Sequence, residues 1–118
     1  MRLLHQGSVI IEQIGDIGAH RAPIEAAGFI FNDCIIVELA NRSKTPTTNF
    51  EFKADDVQLA LEVAQLHPTN EDWGTAVFWH THPGGGIGPS RVDLQNKVGP
   101  ITHLVVALTP DGYVPALY

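Results

Sequence analysis

The segment Pro83-Gly84-Gly85-Gly86-Ile87-Gly88-Pro89 is the tightest constraint on what this chain can fold into. Proline removes a backbone donor, and glycine loses the most freedom when fixed in a helix or strand. No regular element passes through such a stretch, so one element ends before it and another starts after it. The preceding run Thr75-Ala76-Val77-Phe78-Trp79 reads as a buried strand, with His80 and His82 at its C-terminal end. The following Ser90 reads as the N-cap of a helix over about residues 91–98, stopped by Gly99-Pro100.

The rest of the chain supplies the partners of that strand. Ile10, Ile14 and Ile17 recur at helical spacing and predict an amphipathic helix over roughly residues 8–20. Gly15, Gly18 and consecutive β-branched residues favour a strand and turn as the competitor there. Ala26 to Phe31 and Cys34 to Leu39 predict a β-hairpin turning at Asn32-Asp33. Residues 41–49 read as a polar loop, and Phe50-Glu51-Phe52 as a short edge strand. Val57, Leu61 and Ala64 share one face of a helix from Asp55 to His67, capped by Asp55 or Asp56 and stopped by Pro68. His103 to Leu108 is a strand, and Asp111-Gly112 turns the chain into a last strand, Tyr113 to Leu117. This order predicts an α/β (α+β) fold, a mixed sheet flanked by helices, in one domain over residues 1–118.

Composition removes several classes. The net charge is −6, and the seven Lys and Arg form no cluster, which argues against nucleic-acid and anionic-membrane partners. No run approaches the roughly 20 apolar residues of a membrane span. His5, Gln6 and Gly7 interrupt the signal-like start Met1-Arg2-Leu3-Leu4, so a cytoplasmic location is expected. The single cysteine, Cys34, lies in an apolar run and reads as a buried, inert thiol.

Of the six histidines, His5, His20, His67 and His103 read as ordinary surface or structural residues. His80 and His82 differ, because residues i and i+2 of a strand point to one face. Two neutral imidazoles aimed at one point can bind zinc, although such a pair also fits two satisfied polar side chains. Asp93, on the first turn of the helix after Ser90, is placed to return to the same point as a third ligand. Ser-x-x-Asp is equally a capping box, and spacing alone does not separate the two roles. Three protein ligands leave a corner for water, the mark of a catalytic zinc. Glu25, entering an apolar strand, is then the candidate base, or else simply the last solvated residue before that strand.

These residues together resemble the JAMM (MPN-plus) metalloprotease family. Its motif is Glu, a long gap, then His-x-His, seven residues, and Ser-x-x-Asp. Glu25 with Gly28, His80-Thr81-His82-Pro83 and Ser90-Arg91-Val92-Asp93 match it, residues 83–89 being the seven. Many members carry Cys two residues after the Glu, where this chain has Ala27. The resemblance implies a cytidine-deaminase-like mixed sheet and one zinc per chain, with a bound water, held by His80, His82 and Asp93. It implies Glu25 as general acid/base and Ser90 as oxyanion donor. It also implies a protein or peptide substrate cut at a peptide or isopeptide bond, often beside the Gly-Gly tail of a ubiquitin-like protein. The stretches Pro23 to Phe29, Phe50 to Asp56 and His82 to Gly85 are similar to those of phage tail-assembly members. The alternative is a zinc-stabilised, non-catalytic interaction module. An amidohydrolase barrel needs roughly 200 residues or more, and a cupin a nearly all-β chain. Residues 41–49, 84–89 and 68–74, with Trp73, are expected to border the cleft, and Trp79 to lie in the core.

Overall fold

The computed structural model describes residues 7–97 and 100–118. The isoleucine stripe folds as a helix, α1 (Gly7–Arg21), with Ile10 and Ile14 buried and Ile17 packed beside them. The two glycines that weakened this expectation have a packing reason. A Cβ at Gly15 would lie 2.1 Å from the Tyr113 ring, and one at Gly18 would lie 2.7 Å from the Thr81 side chain. Their loss of helix propensity is the cost of a close approach to the sheet.

The hairpin is β1 (Ala27–Phe31) and β2 (Ile35–Leu39), paired antiparallel with Phe29 opposite Val37. Asn32 and Asp33 take φ of 54° and 61°, as a type I′ turn requires. Cys34 closes that turn through its N–H to the Phe31 carbonyl and stays outside the ladder. It is therefore exposed, which corrects the expected buried thiol.

The sheet continues with β3 (Val77–His82), β4 (Thr102–Thr109) and β5 (Gly112–Leu117), in the order β2-β1-β3-β4-β5. Only β3 and β4 among these pairs run parallel, and the crossover between them carries the Gly/Pro segment and a short helix over Arg91–Gln95. One face of the sheet packs on α1 through Ile30, Trp79, Leu104 and Val106. The other packs Phe29, Phe31, Val37 and Phe78 against α2 (Ala54–Val63) and α3 (Asn70–Thr75). The predicted mixed sheet flanked by helices is the observed fold. Trp79 is fully buried in the α1 face, with its indole N–H donated to the Phe29 carbonyl at 3.2 Å.

Five local expectations are corrected. Helix α2 stops well before Pro68, because Gln65 adopts φ 56° and the amides of Gln65 and Leu66 bond back to Glu62 and Leu61. That is a Schellman closure, and it leaves His67 beyond the helix. The α2 N-cap is Lys53, without a side-chain bond, while Asp55 and Asp56 sit in the first turn, where the helix dipole favours them. Residues 70–75 are not loop or strand but α3, started by a reciprocal capping box between Thr69 and Asp72. Phe50 to Phe52 forms no strand, and its place in the structure is set by Asn41, described below. Helix α4 runs Arg91–Gln95 and is capped at Asn96, whose N–H bonds to the Val92 carbonyl, so it is shorter than the expected residues 91–98; Gly99 and His5 lie outside the described residues. No helix among the described residues is long and apolar enough to cross a membrane.

Candidate metal centre

Alternation along β3 sends Phe78, His80 and His82 to one face and Trp79 and Thr81 to the other. His80 is fully buried and His82 half-buried. The Nε2 atoms of the two rings lie 3.2 Å apart. Asp93 Oδ2 completes a triangle, 3.2 Å from His80 Nε2 and 3.0 Å from His82 Nε2. Tetrahedral ligands at 2.0–2.1 Å from zinc are about 3.3 Å from one another, so the triangle has the dimensions of one face of such a site.

Asp93 holds this position because it is also a helix cap. Its Oδ2 accepts the Ser90 N–H at 2.8 Å, and its own N–H is donated to Ser90 Oγ at 3.0 Å. The capping box and the approach to the imidazoles, alternatives in the sequence, coexist on one carboxylate. Burial pushes the Asp93 carboxyl upward, but hydrogen bonds from His80 and His82 outweigh it and hold the group well below the usual carboxylate range.

The donor set then asks for a cation. His82 Nδ1 donates to the Gly86 carbonyl at 2.9 Å, so neutral His82 presents a lone pair at Nε2. That lone pair faces the carboxylate oxygen and the second imidazole nitrogen. A proton on His82 relieves part of the conflict, and its pKa is raised, chiefly by the bond to Asp93. Burial lowers that of His80, which favours the neutral, ligating form. Three electron-pair donors converging in a largely buried site fit a divalent ion better than a single proton.

Glu25 approaches from the segment just before β1, the antiparallel neighbour of β3. It is 5% exposed, and Glu25, His80 and His82 each bring a ligand atom within 4.8 Å of the others. Its Oε1 has no hydrogen-bond partner. Burial pushes its carboxyl up to about 7, partly opposed by the charge of His82. Asp93 is the closer of the two carboxylates to the imidazoles, and Glu25 is the one left able to exchange a proton.

Two positioning residues and one buried histidine escaped the sequence reading. Thr81, between the histidines, accepts the Ala26 N–H on its hydroxyl at 3.0 Å and donates its amide to the Ala26 carbonyl at 2.9 Å. It clips the start of β1, and so Glu25, to β3. Asn41 donates to the carbonyls of Glu25 and Asn49, both at 2.9 Å, and accepts from the amides of Ser43 and Glu51. The loop is tied to Glu25 again by its N–H to the Pro46 carbonyl at 2.8 Å. So anchored, the loop lays Phe50 on His80, with ring centroids 4.7 Å apart. His103, expected to be unremarkable, is the third. It is buried in the row of side chains next to His80, and burial, then the charges of His80 and Lys97, lower its pKa.

Fold and site together define a mixed-sheet protein with a candidate metal centre at the C-terminal end of a central strand. Residues 8–115 match the family model for prokaryotic homologs of the JAB domain, and the chain belongs to that family. A search of curated proteins finds no match.

Proposed function

We propose that this protein is a zinc-dependent peptidase or isopeptidase of the JAMM type. Zinc would be held by His80, His82 and Asp93. When bound, it supplies a Lewis acid that polarises the scissile carbonyl and acidifies water. Glu25 takes the proton from the attacking water as the new C–O bond forms. When the C–N bond breaks, Glu25 returns that proton to the leaving amine. In the metal-free site burial raises the Glu25 carboxyl, which makes it a stronger base than an exposed carboxylate for taking that proton. Ser90 Oγ already accepts the Asp93 N–H, which leaves its O–H to donate to the developing oxyanion.

The observation that carries this reading is the 3.0–3.2 Å triangle of ligand atoms with a proton-accepting carboxylate beside it. The substrate class is a peptide or a Gly-Gly-linked ubiquitin-like protein, with a phage-tail-assembly substrate as the narrower version. Purified protein should hold one zinc per chain. Glu25→Gln should keep the metal and lose about 100-fold or more in cleavage of Gly-Gly-tailed proteins and lysate peptides. A second reading has the capping box in its favour, since Asp93 earns a structural role without any turnover. Full biological function in Glu25→Gln would favour that zinc-stabilised interaction module.

A further inference from the structure

His103 is 4% exposed, and neither of its ring nitrogens has a hydrogen-bond partner. Its position is fixed, because its backbone pairs with Tyr118 in both directions at 2.9 Å. Its ring lies between Phe78 and Tyr118, with centroids 5.4 and 5.1 Å away. A buried polar side chain left unpaired on so firmly held a backbone needs a hydrogen-bond partner, and a ligand in the adjoining groove can supply one.

The ring lines a groove of about 470 Å³ whose other walls include Phe29, Phe50, Phe52, Trp73 and Phe78. Asp93 lines the same groove, so it opens onto the metal centre. The strand register sets the spacing. Phe29, Phe78 and His103 form one row across β1, β3 and β4, and Ala27, His80 and Val105 form the next. Adjacent rows on one face are about 6.6 Å apart, close to the reach of an aromatic side chain from its Cα.

We propose that this groove is the side-chain pocket for a tyrosine next to the bond cleaved at the metal centre, with the His103 ring, whose nitrogens are closed off from solvent in this structure, turning toward the groove to hydrogen-bond the phenol. Aromatic walls favour a flat ring in edge and stacked contacts. A neutral imidazole offers one donor and one acceptor, the complement of a hydroxyl. Phenylalanine would fill the walls and leave His103 unpaired. A carboxylate would face Asp93 and Glu51, which line the same space. The scissile-bond part of this assignment rests on the peptidase reading, whereas the pocket itself does not.

The test uses the full chain with zinc added and 15N-labelled at histidine, titrated with N-acetyl-tyrosinamide and N-acetyl-phenylalaninamide. The tyrosine amide should shift the His103 ring nitrogens saturably and bind about five- to tenfold more tightly, the worth of one hydrogen bond. His103→Phe should bind both amides alike, and His103→Gln, which keeps a donor and an acceptor, should restore part of the preference. Both variants should retain the wild-type zinc content. In a cleaved peptide library, tyrosine should be enriched beside the scissile bond, and His103→Phe should erase this mainly through KM. Equal affinity of the two amides for the wild type overturns the pocket, even if no variant folds. So does a preference that survives in His103→Phe, whereas cleavage indifferent to tyrosine overturns the placement of the pocket beside the scissile bond. Selective binding without cleavage of any peptide leaves the pocket in place and overturns the peptidase reading instead.

Discussion

At the residue scale, the chemistry turns on two carboxylates given opposite characters by their surroundings. Asp93 is held ionised by two imidazoles and a backbone amide, and Glu25 is pushed toward neutrality by burial. Asp93→Asn separates the two tasks of Asp93. The amide oxygen can still accept the Ser90 N–H, so unfolding by urea in chelator should show little change. Zinc affinity, measured by calorimetric titration, should fall by more than the roughly 10–100-fold that loss of an outer partner causes. Asp93→Ala should lose both, with about 1 kcal/mol of the metal-free stability. For Glu25 the sign follows from its raised pKa. The unfolded chain ionises near 4.5 and the folded one near 7, so folding favours the bound proton. The Glu25 contribution to metal-free stability should therefore be lost between about pH 4.5 and 7 and level off above. Glu25→Gln lacks this loss. The two should unfold alike at pH 4.5, and the variant should be the more stable at pH 8, by about 2–3 kcal/mol. Parallel stability curves across that range would show that the carboxylate is not held neutral.

At the element scale, the site depends on how β1 meets β3. Thr81 contributes a hydroxyl at that junction, and Gly18 of α1 lies against the same side chain. Thr81→Val keeps the shape and removes the acceptor, leaving the buried Ala26 amide unpaired. The expected cost is about 1–3 kcal/mol in urea unfolding, with β1 amides exchanging faster than those of β5. What was legible in the sequence divides along the same line. Signals written locally survived: the isoleucine stripe of α1, the Asn32-Asp33 turn, the apolar run of β3 and the Ser90 cap. Ends and segments set by distant partners did not. Gln65 closes α2 with a left-handed residue that is not glycine, so the visible stop at Pro68 misled. Phe50 and Phe52 alternate like a strand, yet Asn41, nine residues before Phe50, dictates their course. The fixed spacing of the motif made the convergence of His80, His82 and Asp93 readable. His103 was not, because only the register of β3 against β4 puts it beside them.

At the scale of the whole molecule, the candidate centre gathers residues from three stretches far apart in sequence, the segment just before β1, the end of β3 and α4. Helix α4 is only five residues long and has one buried residue, Asp93 itself. Its attachment to the sheet thus runs largely through the carboxylate that meets the two imidazoles, whereas α1 is held by a broad apolar face. A short helix without an apolar anchor has little stability of its own. An ion that binds only the folded form stabilises it by about 2.7 kcal/mol at a hundredfold excess over Kd. That stabilisation should be unevenly spread. Chelation should lower the melting temperature, and amide exchange should quicken most in residues 84–95, whose contacts converge on Asp93 and His82. Exchange in α1 should change least, because Ile10 and Ile14 stay packed whether or not metal is present. Uniform quickening across the chain would mean that the centre acts only through global stability, and unchanged exchange in α4 would detach Asp93 from the ligand set.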